Sequence, residues 1–369
     1  LPTPSLTGGL VMPIRRTTNK PPTLLLGKRL CNKGEKMDTR TIVIPEIPSD
    51  RKYWFFRTEG GEYYPDFKIN NFIALGWDDF CNIDNLKNMT AYDDIDTLKN
   101  KFKEHYPNER RFGLAVNQIL TFINTMEIGD IVLIPSKNSR DLAIGEITSD
   151  AYIYTEDADE LNDSDDFLDD EDVGYKICKY KKRRDIKWIT TIKKNKLDPQ
   201  LFKLMWARNT ITDASSYDMY IDRNLHSIYY KNNKLNVTLH VEQENGISTR
   251  NMNALLSNTL AYIDRFNFAE KEKELDELEI KMMVESPGVI QYIGGAAALT
   301  ILLGGFSLFA FGANTSFEIA GQKYSINSEG AISIYKEMNR HEEEMARIEL
   351  EKLKSSMENL KIQTPKELR

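Results

Sequence analysis

Four consecutive basic residues form the stretch of this sequence that is best suited to bind a polyanion. Lys181, Lys182, Arg183 and Arg184 are followed four residues later by Trp188. Lysine and arginine neutralise phosphates and an aromatic ring accepts a stacked base, so the pattern is typical of proteins that bind single-stranded nucleic acid. The alternative is that the cluster neutralises the acidic run before it, which holds 11 Asp or Glu residues between positions 156 and 172.

The residues that usually carry catalysis are scattered along the chain. The four histidines stand in different predicted elements, and none has a cysteine, histidine or carboxylate partner at the spacing of a metal site. The sequence contains no phosphate-binding loop, nucleophile elbow or paired catalytic carboxylates. We therefore expect a protein that is not an enzyme, with no catalytic residue, no metal site and no cofactor.

Net charge and cysteine content set further bounds. The formal net charge is −7, so any nucleic-acid site must be a local basic patch and not the whole surface. Cys31, Cys81 and Cys178 are odd in number and far apart in sequence, which favours a reducing compartment over a disulfide framework.

The elements that would position the basic cluster belong to a mixed α+β domain. Runs of branched and aromatic residues, such as KYWFFRTE, NFIALGW and IVLIPS, predict strands. Apolar residues at three- and four-residue intervals predict helices over 93–106 and 114–126. A smaller α/β unit follows, with a hairpin around Asn232 and Asn233 and then an amphipathic helix.

An uncharged stretch from Gly288 to Ala313 predicts a single transmembrane helix. Its 26 residues would cross the ~30 Å hydrocarbon core of a bilayer, and the alternative is a buried core helix. Gly294, Ala298 and Gly305 place small residues on one stripe of this helix, where copies of the helix could pack closely. We therefore expect a homo-oligomer, with a tetramer favoured, that forms a pore. Lysines shortly before the stretch favour a cytoplasmic N-terminal region at the inner membrane.

These patterns divide the chain into six segments. The first is a basic, proline-rich leader that we expect not to belong to the fold, and the last is a hairpin with a short C-terminal helix. In order, the segments are the leader 1–36, a sensor domain 37–209, a small α/β connecting domain 210–268, a helical stalk 269–287, the transmembrane helix 288–313 and the C-terminal segment 314–369.

The order of motifs in the first domain resembles a known family. YWFFRTEGGEYYPDF, FIALGW, TFINTMEIGDIVLIPS, LAIGEITSDAYIY and a basic DIKWI succeed one another as in the PUA-like domains, related to EVE folds, of restriction and other antiphage proteins. The resemblance covers Lys52 to Asn209 and implies a twisted β-barrel with flanking helices and a pocket for a base or a nucleic-acid end. The residues that it places at the pocket are Arg57, Trp77, Ser136 and Arg140, with Tyr152 and Trp188 near the rim. Each of them could instead be ordinary barrel core, Trp77 above all.

A nucleotide-binding domain joined to a membrane span predicts an effector of bacterial antiphage defence. In this hypothesis the sensor domain binds DNA or a short oligonucleotide, which controls an ion-conducting pore in the lipid bilayer. The chain also resembles the membrane effectors of Hailong-type systems, which implies DNA oligomers made by a nucleotidyltransferase partner. The alternatives are a membrane-tethered DNA-binding protein without a pore and a recruiting subunit of a nuclease or nucleotidyltransferase complex.

Overall fold

The computed structural model describes the chain from residue 40 to residue 368, with short gaps. The described residues belong to the unit Asp38–Arg369. The predicted leader and the acidic run at 156–172 lie outside the described residues. The described ranges are 40–87, 89, 92–155, 174–243, 246–268, 270–283, 288–311, 315–326 and 340–368.

Strands and helices are mixed along the described chain, with runs of consecutive strands and of consecutive helices. The strands are β1 (Arg40–Val43), β2 (Tyr53–Phe56), β3 (Phe72–Leu75), β4 (Ile131–Pro135), β5 (Asp141–Ile147), β6 (Tyr152–Ile153), β7 (Lys182–Lys193), β8 (Ile211–Asp213), β9 (Ile228–Lys231), β10 (Lys234–Val241), β11 (Glu279–Met283), β12 (Gly288–Gly294), β13 (Thr315–Ile319), β14 (Gln322–Ile326) and β15 (Ile362–Gln363). The α-helices are α1 (Tyr64–Ile69), α2 (Ile83–Leu86), α3 (Tyr92–His105), α4 (Phe112–Leu120), α5 (Asp218–Leu225), α6 (Thr249–Asp264), α7 (Lys271–Asp276), α8 (Ala296–Phe311) and α9 (Arg340–Asn359). The shorter helical turns used below are the 3-10 turns Glu59–Gly61, Lys137–Ser139 and Pro199–Trp206 and the π-helical turn Thr121–Thr125.

The largest sheet, called sheet 1 here, curls into half a barrel and carries a core on each face. Its strand order is β3-β7-β5-β4-β2-β8, with β6 paired to β7. All neighbouring strands are antiparallel except β2 and β4. Because side chains alternate along a strand, Tyr53 and Phe55 of β2 enter one core while Trp54 and Phe56 enter the other. This two-sided burial explains why KYWFFRTE has no polar face.

The second sheet is antiparallel and packs under three helices. Its order is β11-β12-β10-β15, with β9 paired to β10. The predicted hairpin is present as β9 and β10, and Asn232 and Asn233 have φ values of 53° and 59°, as a tight two-residue turn requires. A third sheet, β1-β13-β14, contains the C-terminal hairpin.

A buried cluster of polar groups joins sheet 1 to the second sheet. The Tyr53 hydroxyl of β2 donates to Asp222 Oδ1 at 2.6 Å, and Lys231 Nζ of β9 donates to Asp222 Oδ2 at 2.8 Å and to Asp218 Oδ2 at 2.7 Å. Burial and the Asp222 carboxylate raise the pKa of Tyr53, so its hydroxyl keeps its proton and acts as the donor. The predicted boundary at 209/210 does not separate two domains, since β8 belongs to sheet 1 and Asp222 bonds to β2.

The predicted transmembrane helix over 288–313 is wrong. Residues 288–294 form β12, which pairs with β10 and β11, and the helical residues among the described part of this stretch are Ala296–Phe311. At about 1.5 Å per residue these 16 residues span roughly 24 Å, less than the ~30 Å of a bilayer core. No helix among the described residues is both long and apolar enough to cross a membrane. The predicted stalk is also not one helix, because α7 is followed by strand β11.

Helix α8 is apolar on all sides because it lies inside the core of the second sheet. Such a helix is expected in the interior of a protein as well as in a bilayer. The small residues that predicted contacts between subunits instead allow close packing within the chain. The Ala298 backbone N–H donates to Glu274 Oε2 at 2.8 Å, and Gly294 faces Leu278. A Cβ on Gly305 would lie 2.8 Å from Leu350 Cδ1 and 2.9 Å from the Tyr262 ring.

We expect Gly305→Ala to destabilise the protein by about 1–3 kcal/mol, because the added methyl group meets two well-packed side chains. The matched control is Gly113→Ala in α4, where a Cβ meets no atom within 4 Å. Alanine has the higher helix propensity, so this control should be neutral or more stable by up to about 1 kcal/mol. Urea unfolding of both variants measures the difference. Equal stabilities would show that α8 does not pack tightly against Tyr262 and Leu350.

Candidate functional site

A cavity of about 230 Å³ lies between β2, β3 and α1, and we call it the aromatic cavity. Four parts of the chain form it: the turn after β2, helix α1 with the residue before it, the end of β3, and the residues that precede β7 and β8. The side chains that line it include Arg57, Glu59, Tyr63, Phe67, Trp77 and Tyr180.

Aromatic rings in fixed contact make up its walls. Tyr63 stacks on Phe67 with ring centroids 6.1 Å apart, and Tyr180 meets Tyr63 edge-to-face at 5.4 Å. On another side Trp77 packs edge-to-face against Phe102 at 6.0 Å. These are the arrangements that aromatic pairs prefer, so the rings hold their positions without a ligand. Tyr63 and Phe67 are buried, while Trp77 and Tyr180 are half-buried.

The backbone of Trp77 is held in a strained conformation. Its φ is 60°, which is rare for a bulky residue and persists where neighbouring structure enforces it. Lys182 Nζ donates to the Trp77 carbonyl oxygen at 2.8 Å and lies 3.4 Å from Asp78 Oδ1. Gly76 brings the chain against Tyr180, because a Cβ there would lie 3.2 Å from the tyrosine ring. Lys182 therefore helps to hold the backbone that carries the Trp77 ring.

Arg57 and Glu59 are the charged groups of the aromatic cavity. The Arg57 backbone N–H donates to the Thr210 carbonyl at 2.8 Å, and its Nη1 donates to the Ala207 carbonyl. These bonds fix the guanidinium and leave other N–H donors that can point to a ligand. Glu59 supplies carboxylate acceptors at the opening. Burial raises the pKa of Tyr180 and the Glu59 charge raises it further, so the Tyr180 hydroxyl is a donor at neutral pH.

The alternation of β7 sends two of the four predicted basic residues into the protein. Lys182 and Arg184 are 0% and 1% exposed. Arg184 donates from Nε to the Phe122 carbonyl at 2.8 Å, from Nη2 to Ile123 at 3.2 Å and from Nη1 to Ser149 at 2.9 Å. Burial lowers the pKa of both basic groups. Neither charge is presented to a polyanion, so for these two residues the predicted phosphate contact is wrong.

Arg183 and Tyr152 line a second cavity of about 380 Å³. The Arg183 guanidinium carbon lies 4.2 Å from the Phe72 ring centre and 3.7 Å from that of Tyr154, so the side chain is sandwiched between two rings. The Tyr152 hydroxyl donates to Asp185 Oδ1 at 2.7 Å. Burial and this bond raise the pKa of Tyr152 to about 12. Tyr152 is thus not at the rim of the aromatic cavity.

Ser136 and Arg140 lie on the loop that joins β4 to β5, beside the aromatic cavity and not in it. The Ser136 hydroxyl accepts from the Asp141 backbone N–H at 2.9 Å, which shapes the loop. The loop touches the turn after β2, since a Cβ on Gly61 would collide with the Lys137 backbone, and the φ of Gly61 is +95°. The Arg140 side chain is exposed, and its carbonyl accepts from Lys194 N at 2.8 Å.

Trp188 holds α1 against sheet 1. Its indole N–H donates to the Phe67 carbonyl at 3.0 Å, and Lys68 Nζ lies 4.9 Å from its ring centre. It is half-buried and packs on the core under α1. Lys181, by contrast, carries an exposed side chain.

A family model matches residues 54–215. Its description is "Domain of unknown function (DUF8426)". The match contains every residue that lines the aromatic cavity and excludes the second and third sheets. No curated protein and no solved structure matches the chain. The resemblance to PUA-like domains and to Hailong-type effectors therefore stays a prediction.

Within the DUF8426-matching region, the structure brings together only two of the predicted pocket residues, Arg57 and Trp77. Sequence reasoning missed Tyr63, Phe67 and Tyr180. The first two had a signal in the sequence, because they stand four residues apart at the start of a helix and so share one face. Tyr180 is brought in by the long-range pairing of β3 with β7, which no local pattern shows.

One exposed cation contacts a wall of the aromatic cavity: Lys176 Nζ lies 4.9 Å from the Tyr63 ring centre. Lys181 is exposed next to Tyr180, and two further groups of exposed cations lie on neighbouring segments. One group lies on the loop between β4 and β5 and at the end of β7, and the other lies within and just after the turn Pro199–Trp206. The exposed basic residues are Lys137, Arg140, Lys193, Lys194 and Lys196 in the first group and Lys203 and Arg208 in the second.

We expect Arg184→Ala to lower the free energy of unfolding by at least about 2 kcal/mol, because each buried carbonyl left unpaired costs about 1–3 kcal/mol. Lys181→Ala removes the same charge from an exposed position and should change stability by less than about 0.5 kcal/mol. Urea unfolding followed by circular dichroism compares the two variants. An Arg184→Ala protein as stable as Lys181→Ala would contradict the buried hydrogen-bond network.

Proposed function

We propose that the DUF8426-matching region binds a single nucleobase, from DNA or a short oligonucleotide, in the aromatic cavity. The observation that carries this proposal is the wall of aromatic rings from Tyr63, Trp77 and Tyr180 around a space that also holds one cationic and one anionic group. Aromatic walls suit a flat heteroaromatic ring, because every base offers a π-face for stacking.

The size of the cavity favours one base over a larger ligand. Pockets for drug-sized molecules enclose about 300–1,000 Å³, whereas the aromatic cavity encloses about 230 Å³. Its polar groups also suit the edge of a base. The free N–H groups of Arg57 can donate to ring nitrogens or carbonyl oxygens, and the carboxylate of Glu59 can accept from an exocyclic amino group.

The exposed cations beside the aromatic cavity support a ligand that carries phosphates. Lys137 and Arg140 lie on the loop that touches the turn after β2, and this turn provides Glu59 to the cavity. A phosphodiester strand whose base enters the cavity would pass over such a loop. With a net charge of −7, a local patch of this kind is what a specific site requires.

The hypothesis of a membrane effector that the sequence suggested is therefore narrowed to nucleic-acid binding. The pore and the inner-membrane location depended on the transmembrane helix, and neither is proposed here. A homo-oligomer, a role in antiphage defence and a nucleotidyltransferase or nuclease partner stay predictions. Base binding is compatible with either of the last two, since a base-binding domain serves both a signal receptor and a recruiting subunit.

Removing the Tyr180 ring tests the proposal. We expect Tyr180→Leu to weaken binding of a labelled mixed-sequence single-stranded DNA by about 5- to 150-fold, because stacking contributes about 1–3 kcal/mol per base. Fluorescence anisotropy at fixed salt measures the affinity, and thermal unfolding confirms that the variant folds.

The matched control is Tyr154→Leu, which removes a tyrosine ring from the second cavity instead. It should leave DNA affinity within about twofold of the wild-type value, since an effect of 1 kcal/mol or more is expected only for a stacked base. If Tyr180→Leu binds DNA like the wild type, the aromatic cavity is not a base site. A loss confined to Tyr154→Leu would assign binding to the second cavity.

A further inference from the structure

Trp206 is the most exposed large apolar side chain among the residues that the structure describes. It ends the helical turn Pro199–Trp206, and 81% of its surface is accessible. Tryptophan is highly buried on average, and exposed tryptophan is enriched where proteins bind partners or ligands. The surrounding structure accounts for the turn but not for this indole ring.

The turn that carries Trp206 is firmly anchored. Leu201 and Leu204 are buried in the core on one face of sheet 1. At the start of the turn Asp198 Oδ1 accepts from the Gln200 backbone N–H at 2.9 Å. At its end the Ala207 N–H donates to the Leu204 carbonyl at 3.0 Å. A ring on so fixed a support loses little conformational freedom when a ligand stacks on it.

The backbone that follows Trp206 reaches the aromatic cavity. The Ala207 carbonyl accepts from Arg57 Nη1, and Arg57 lines the cavity. Ala207 follows Trp206, so their Cα atoms are about 3.8 Å apart. Thr210, three residues further on, lines the cavity itself. One short segment therefore carries the exposed ring at one end and a cavity wall at the other.

Two exposed cations flank the ring. Lys203 precedes Trp206 by one turn, and Arg208 follows it by two residues. An aromatic platform between cations is the arrangement that binds single-stranded nucleic acid, with the base stacked on the ring and phosphates held by the charges.

We infer that Trp206 stacks on the nucleotide adjacent to the one whose base occupies the aromatic cavity. The inference depends on the proposed function and specifies its ligand: a single-stranded segment of at least two consecutive nucleotides, and not a free nucleotide. In this arrangement the cavity holds one base and the base of the neighbouring nucleotide stacks on the indole ring. Lys203 and Arg208 face the phosphates of the nucleic acid.

The experiment uses the full chain and two labelled DNA strands of equal length. One strand carries a base at every position, and the other carries a single base with abasic sites elsewhere. Trp206→Ala should weaken binding of the first strand by about 5- to 150-fold, as expected for one lost stacking contact, and leave binding of the second unchanged. Trp206→Phe should restore most of the affinity for the first strand. Because the side chain is exposed, thermal stability should not change.

The outcomes separate this inference from the proposed function. Tyr180→Leu should weaken binding of both strands, because the cavity base is present in each. If it does so while Trp206→Ala affects neither strand, or both equally, the stacking inference is overturned and the base cavity stands. If Tyr180→Leu affects neither strand, the proposed function fails. If Trp206→Ala spares DNA binding but abolishes self-association of the chain, Trp206 belongs to a protein interface, which also overturns the inference.

Discussion

The guanidinium of Arg184 connects three backbone carbonyls inside the core of sheet 1. Phe122 and Ile123 follow helix α4, and Ser149 follows strand β5, so a single side chain fixes β7 to both. A buried cation needs such partners, since a charge without them carries a large desolvation cost. Two residues earlier on the same face of β7, Lys182 holds the carbonyl of Trp77. The strained backbone of Trp77, in the wall of the aromatic cavity, is therefore held by a charge that does not reach the surface.

The residues that face the aromatic cavity are thus different from the basic residues that hold its walls in place. Rings and two charged groups face the aromatic cavity, whereas Lys182, Arg183 and Arg184 bond mainly to backbone oxygens or lie between rings. A carbonyl that accepts a bond from a buried lysine cannot turn away easily, so the left-handed backbone at Trp77 is retained. The cost of this conformation is offset by hydrogen bonds located on a different strand.

Local features were predictable from the sequence, and features that depend on distant partners were not. Asn232-Asn233 sets its own turn, and the spacing in 93–106 and 114–126 identified α3 and α4. The strand period could also have shown that positions 182 and 184 share a face with buried Ile186. The uncharged stretch was ambiguous because hydropathy does not distinguish lipid from protein interior. The first part of this stretch is strand β12, in which the Gln291 amide donates to the Tyr229 hydroxyl and to Asn236 Oδ1 across the sheet. The sequence alone does not show these contacts.

The cluster of Tyr53, Asp222 and Lys231 limits how this protein can be divided. A fragment that ends with the DUF8426 match at residue 215 would retain all the cavity-lining residues but lose the carboxylate and the ammonium that surround the Tyr53 hydroxyl. That hydroxyl belongs to β2, the strand that leads to Arg57, and it would then lie without its acceptor. Sheet 1 therefore has a buried partner in the second sheet, Lys231 of β9, and the two sheets are expected to unfold together.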